Sequence, residues 1–165
     1  MSTIHENVEN ALSAGEVEYV VRDHDDLPAS IESPGDFALA LGIPQSQITK
    51  TLFLTEKSAG PRRVLLCCSS DSRVDFKAAS VALGYGRLEV ASPEALREVL
   101  GYPRNGVSPL GAPADVPVLL DEAVLRYSTV LVGGGATGVE VELSPKDLIQ
   151  MTSAISGRFV KLPES

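Results

Sequence analysis

The sequence predicts an α+β domain: a curled, largely antiparallel sheet with helices around its outside. Three observations carry this expectation. Short apolar runs alternate with helix-length segments along the chain. Several consecutive runs are joined by connections too short for a parallel crossover, which forces antiparallel pairing. Three helices start with Ser-Pro (Ser33-Pro34, Ser92-Pro93 and Ser144-Pro145), an N-cap followed by a proline at the first helical position. The 165 residues read as one domain, residues 1–165, with no repeat, low-complexity tract or linker.

His5 to Ala14 reads as a short helix with Val8, Ala11 and Leu12 on one face, stopped at Gly15. Val17 to Arg22 alternates as a strand. Asp23 to Ile31 is polar and turn-rich. The helix begun at Ser33-Pro34 turns Phe37, Ala38 and Leu41 inward and ends at Gly42. Ile48 to Thr55 and Arg63 to Ser69 are strands joined by a loop over Glu56 to Arg62. Asp75 to Leu83 is a helix closed by Gly84, Arg87 to Ala91 a strand, and the helix after Ser92 is closed by Gly101. Val116 to Leu120 and Thr129 to Val132 are apolar, buried strands. Val139-Glu140-Val141-Glu142-Leu143 alternates with one face wet and one dry. A last helix runs from Ser144-Pro145 through Met151, and Arg158 to Leu162 is expected as the final strand.

The formal charge of −8 argues against a protein that coats nucleic acid through bulk charge, which depends on releasing counterions from many phosphates. A few local phosphate contacts stay open: Lys50, Arg62, Arg63, Arg73, Lys77, Arg87 and Arg104 are either a short positive surface or scattered solvated charges. Cys67 and Cys68 are strand neighbours and point to opposite faces, poorly placed to share a metal or an unstrained disulfide. The histidines are His5 and His24, distant in sequence from the cysteines, so neither a metal nor another cofactor is expected. No apolar run reaches the roughly 20 residues of a membrane span. Met1 to Glu9 lacks the apolar core of a signal peptide, so no membrane partner and a cytoplasmic location are expected.

Five places could carry chemistry. Gly106-Val107-Ser108-Pro109-Leu110-Gly111 is a stiff turn, with glycines for close backbone approach and a proline that rigidifies it. It is either structural or a cradle of backbone donors and acceptors. Lys50, at the entrance of an apolar strand, is a ligand-contacting ammonium or an ordinary edge lysine. Gly133-Gly134-Gly135 follows a buried strand and is a hairpin turn or a pocket wall. It is not a dinucleotide loop, because it leads into the alternating run at Val139 rather than into a helix. Glu140 and Glu142 share one strand face, as a carboxylate pair or as a solvated face. His24, between two aspartates, is an oriented general base or an exposed loop residue. Ser108 has no marked His–Asp partners for triad chemistry.

The ordered set Ile48-Thr49-Lys50-Thr51-Leu52, Val74-Asp75-Phe76-Lys77, Gly106 to Gly111, Val118-Leu119-Leu120-Asp121, Val132 to Gly135 and Gly138 to Leu143, followed by Ser144-Pro145-Lys146-Asp147-Leu148, resembles the YbaK/ProX family. These proteins are free-standing relatives of the editing domain inserted in bacterial prolyl-tRNA synthetases. The resemblance runs from about Val17 to about Leu162. It implies the mixed fold above and hydrolysis of the ester joining a mischarged small amino acid (Cys, Ala or Ser) to a tRNA, foremost tRNA(Pro). It implies that Lys50 contacts the tRNA 3′ end and that the loop of Gly106, Val107, Ser108 and Pro109 holds the aminoacyl group. Gly133, Gly134 and Gly135 would form the glycine wall, and prolyl-tRNA synthetase is an implied partner. Many cysteinyl-tRNA(Pro) deacylases of the family carry Ser-Gly-Gly where this chain has three glycines, so the pocket wall lacks a hydroxyl here. The segment between His24 and Gly35 is also longer than in those relatives and lacks an aromatic lid. The alternative is a module on the same fold that binds a tRNA end, a nucleotide or a synthetase without hydrolysis.

Overall fold

Helix boundaries follow the local chemistry of the chain. The computed structural model describes residues 3–57 and 62–162. Helix α1 (Glu6–Gly15) starts at His5, whose Nδ1 accepts from the Asn7 amide at 3.0 Å. The Ser33 hydroxyl caps α2 (Pro34–Leu41), accepting from the Asp36 amide at 3.1 Å, and Gly42 ends it with φ +71°. Asp75 caps α3 (Phe76–Leu83), Ser92 caps α4 (Pro93–Val99) and Ser144 caps α5 (Pro145–Thr152). Each cap satisfies an amide that the first helical turn leaves open.

The strands are β1 (Tyr19–Asp23), β2 (Thr49–Glu56), β3 (Arg63–Ser69), β4 (Leu88–Val90), β5 (Val118–Asp121), β6 (Val130–Gly133), β7 (Val139–Leu143) and β8 (Ile155–Gly157). They form a three-stranded sheet, β1-β7-β6, and a five-stranded sheet, β4-β2-β3-β5-β8. The β2–β3 and β6–β7 pairs are antiparallel, as their short connections required, and the sequence-distant β1–β7 and β2–β4 pairs are antiparallel too. The β3–β5 and β5–β8 pairs are parallel, reached through helix-bearing crossovers. A parallel bridge between Ile48 and Leu131 joins the two sheets. Residues 58–61 of the expected 56–62 loop lie outside the described residues.

One expected element is displaced. The last strand is Ile155–Gly157, not 158–162. Phe159 is buried and donates its amide to Asp121 Oδ1 at 2.8 Å, while its carbonyl accepts from the Asp75 amide at 2.8 Å. Lys161 donates its amide to the Arg73 carbonyl at 2.8 Å, and Val160 makes an isolated bridge to Val74. The segment is thus tied down by single contacts rather than by a ladder.

β3 is buried along nearly its whole length. Leu65 and Cys67 join Phe53, Val118 and Leu120 in the core between the sheets, which also takes Val130, Val132, Val141 and Leu143. Val64, Leu66 and Cys68 face the other way, onto Leu54, Leu119 and Ala79 of α3. Covering both faces explains why β3 reads as an unbroken apolar run and why the two thiols point apart. Both are free; burial raises the Cys67 thiol and pushes Cys68 up to about 12. A third cluster packs Phe37 and Ala38 of α2 on Ile48 and Leu131, where the sheets meet. That junction frames the cavity described next.

Candidate active site

Between its bridge to β6 at Ile48 and its pairing with β4 from Leu54, the outer edge of β2 has no partner strand among the described residues. Ser70 donates to the Ile48 carbonyl at 2.8 Å and Glu56 to that of Arg62 at 2.9 Å, which sets the even-numbered positions of β2 in hydrogen-bonded register with β3. The N–H and C=O of Thr51 therefore turn the other way. β4 covers only Leu54 to Glu56 on that side. A cavity of about 660 Å³ lies along this open edge, lined by Ile48 to Leu52, the turn at Arg104, Asn105 and Val107, and the β6–β7 hairpin. His24, Asp25, and Ile31 to Pro34 with Phe37 complete the wall.

Of the residues singled out from sequence, Lys50, Val107 and Gly133 line one cavity. Lys50 is half-buried and its ammonium donates to the Ser72 carbonyl. Thr49 donates its hydroxyl to the Leu131 carbonyl at 2.7 Å, holding β2 against β6 beneath the lysine. Gly106 is buried just behind the lining: a β-carbon there would sit 2.6 Å from the Ala136 carbonyl carbon. Ser108 is fully buried, and its Oγ accepts from the Leu110 amide at 3.1 Å within the turn. Pro109 faces a separate depression with Ala11, Gly111 and Met151. Tyr102 fixes this loop from inside, donating its hydroxyl to the Leu110 carbonyl at 2.6 Å.

The three consecutive glycines separate in space. Gly133 packs directly against the Gly106 loop, where a β-carbon would lie 2.0 Å from the Val107 carbonyl oxygen. The loop carbonyl thus occupies the space a serine side chain would need. Gly134 pairs with the hairpin and the N-terminus, donating to the Val139 carbonyl at 3.1 Å and accepting from the His5 amide at 2.9 Å. Gly135 has φ +81° and sits against His5 and Tyr102. Gly133 faces the cavity; Gly134 and Gly135 brace the wall from behind.

His24 and Glu140 are 116 residues apart in sequence, and nothing local connects them. The β1–β7 register, with Asp23 opposite Val139 and Arg22 opposite Glu140, brings them together. His24 Nε2 lies 3.0 Å from Glu140 Oε2, and both line the cavity. The His24 ring also packs on Phe37, centroids 4.4 Å apart. Burial raises the Glu140 carboxyl above its ordinary range, partly offset by the hydrogen bond and charge of His24. Glu142, two residues on, takes different partners. It accepts from Arg22 Nε at 2.9 Å and from the Thr129 hydroxyl at 2.6 Å. Burial would raise its carboxyl, but these bonds outweigh burial and lower it. The two carboxylates on this strand face are therefore neither a carboxylate pair nor a freely solvated face but two separate sites. Among the described residues no group of three or more metal-ligating side chains occurs, and no helix is long and apolar enough to cross a membrane.

A lysine, an open strand edge and a backbone turn around one cavity suit an activated carbonyl compound attached to a phosphate-bearing chain. Comparison with known proteins agrees. The aminoacyl-tRNA editing domain family matches residues 29–151. The chain is 30% identical over 125 residues to an Enterococcus faecalis protein, EbsC, named as a candidate Cys-tRNA(Pro)/Cys-tRNA(Cys) deacylase; the match covers 76% of this chain and 73% of that one. It is 29% identical over 115 residues to Bacillus subtilis YwhH, covering 70% and 71%. A crystal structure described as a candidate trans-editing enzyme for prolyl-tRNA synthetase superposes with a TM-score of 0.79 at 30% identity, covering 94% of this chain and 96% of that one. The matched segment spans β2 with Lys50, the Gly106 turn and the β6–β7 hairpin, and the chain belongs to the aminoacyl-tRNA editing family, as a hydrolase of aminoacyl-tRNA esters.

Proposed function

We propose that the protein edits in trans, removing a small amino acid (Cys, Ala or Ser) from mischarged tRNA, foremost tRNA(Pro). The observation that carries this reading is the meeting of Lys50, the open edge at Thr51 and the turn at Val107 around one cavity. Lys50 meets the tRNA 3′ end, its stem on apolar surface and its ammonium toward the phosphate or ribose oxygens. The turn from Gly106 to Pro109 holds the aminoacyl group. Val107 does so at the cavity, with Gly106 close behind it and Ser108 and Pro109 stiffening the turn. Gly133 forms the wall, supported by Gly134 and Gly135. The similarity to a structure described as serving prolyl-tRNA synthetase supports that synthetase as a partner.

The reaction needs no strong nucleophile, because an aminoacyl ester is already activated. A bound water adds to the ester carbonyl carbon. The tetrahedral oxyanion is stabilised by backbone N–H donors at the strand edge and turn, interactions of a kind worth about 10²-fold or more. The C–O ester bond then breaks, and the ribose oxygen leaves with the proton that water gave up. Selection is by exclusion: a closed wall rejects bulky amino acids sterically, whereas attraction by one methylene discriminates only about 10- to 200-fold.

The test is hydrolysis of Cys-, Ala-, Ser- and Pro-tRNA(Pro) by the purified protein and by Lys50→Ala. Release of at least one small amino acid, with a loss of about 10²-fold or more in the variant at unchanged thermal stability, is expected. Full activity in Lys50→Ala would remove the lysine's role. Tight binding without hydrolysis of any of the four would favour a binding module.

A further inference from the structure

One polar pair on the cavity wall, His24 and Glu140, takes no part in the hydrolysis itself. Glu140 and Glu142 stand on the same face of β7, yet the fold treats them differently. Glu142 carries an arginine 2.8 Å away and a threonine hydroxyl. Glu140 has His24 as its polar partner among the described residues, at 3.0 Å, and its side chain is 15% exposed on the cavity wall. It pairs in register with Gly133, directly beside the glycine wall. A carboxylate so desolvated, with no arginine or lysine paired to it among the described residues, is costly unless a cation arrives. The burial-raised proton affinity of Glu140 expresses the same demand.

The aminoacyl ester supplies such a cation. Its α-ammonium is one carbon from the scissile carbonyl, so it enters the cavity with the reacting atoms and must leave water. We propose that Glu140 accepts the α-ammonium of the bound aminoacyl group and that His24 holds Glu140 in place for it. This rests on the deacylase reading and adds a substrate-binding residue to it. Lys50 and Arg104 on the same cavity then serve the phosphate-bearing end, and Glu140 the amino end. Two unlike charges at known places orient the ester in one direction along the β2 edge. His24 Nε2–H donates to the carboxylate, leaving the other oxygen lone pairs for the ammonium.

The experiment compares substrates with and without the charge. Binding of 3′-alanylamino-3′-deoxyadenosine and of its N-acetyl derivative is measured for the unaltered protein, Glu140→Gln and His24→Ala, and hydrolysis of Ala-tRNA and N-acetyl-Ala-tRNA is measured in parallel. Glu140→Gln should weaken the free-amine ligand about tenfold to a hundredfold, the range for a hydrogen bond between charged groups, and leave the acetylated ligand unchanged. His24→Ala should show the same split at smaller amplitude, because it acts through Glu140. Equal losses on both ligands, no loss on either, or no binding of either by the unaltered protein would overturn the proposal. Hydrolysis indifferent to Glu140→Gln would sink the ammonium site and leave the deacylase reading standing. A charge-dependent split in binding, without hydrolysis by the unaltered protein, would do the reverse.

Discussion

A β-carbon on Gly133 would lie 2.0 Å from the Val107 carbonyl oxygen, so residue 133 sets how closely the turn approaches β6. Gly133→Ala should push the turn outward or strain it, at a cost of about 1–3 kcal/mol typical of overpacking. Urea denaturation should show the loss, and deacylation should fall with it because Val107 moves. Gly138 is a contrasting position: its φ is +80°, with open space around a β-carbon, so a substitution there meets backbone strain rather than a clash. Glu140 gives a second residue-scale prediction. A carboxyl whose folded pKa is raised binds its proton more tightly in the folded state, so its contribution to stability is lost as pH rises through that pKa. Glu140→Gln should therefore be at least as stable as the unaltered protein at pH 7. The advantage should shrink as pH falls below the raised pKa, which thermal unfolding between pH 4 and pH 8 would reveal. Lower stability of the variant at pH 7 would contradict this. Loss of substrate affinity without loss of stability is the signature of a side chain kept for a ligand.

At the scale of elements, what the sequence made readable was mostly local. The Ser-Pro starts at 33, 92 and 144, the glycine stops at 42 and 84, and the alternation at 139–143 each depend on a few adjacent residues, and all appear in the fold. Features that depend on pairing partners were not readable. Ile155–Gly157 has no alternation of its own; it is a strand because the exposed edge of β5 accepts it in parallel. His24 and Glu140 meet through the β1–β7 register, which neither segment encodes alone. Lys50, Val107 and Gly133 could be grouped from motif order, but the separation of Gly133 from Gly134 and Gly135 needed the hairpin geometry. Asp121 shows how such long-range ties are held. Its carboxylate accepts from the Ala123 amide at 3.2 Å and from the Phe159 amide at 2.8 Å, joining the end of β5 to the C-terminal segment. Asp121→Ala leaves the buried Phe159 amide without its acceptor and should cost about 2–3 kcal/mol, read as a lowered urea midpoint at unchanged slope. Asp121→Asn, which keeps an acceptor oxygen, should recover much of that loss.

Across the whole molecule, charge limits how the protein meets a polyanion. A chain of net charge −8 is repelled by the tRNA body at long range, yet its cavity carries Lys50 and Arg104. Binding is thus expected to centre on the acceptor end, with about two phosphate neutralisations. For single-stranded nucleic acid each neutralised phosphate contributes about 0.7 to the slope of log affinity against log salt. A slope of about −1.4 follows, far shallower than that of a protein gripping six to ten phosphates. Affinity for mischarged tRNA, measured from 50 to 300 mM KCl, should follow that shallow line. A duplex minihelix ending in the aminoacylated CCA sequence should bind nearly as well as full-length tRNA. A steep slope, or strong loss of binding to the minihelix, would mean that a basic surface outside the cavity grips the tRNA body. Arg63, Arg73 and Arg87 are the charges to neutralise in that case. A shallow slope with retained minihelix binding would leave discrimination to the cavity, where the wall at Gly133, the lysine and the Glu140 carboxylate act on the aminoacyl end alone.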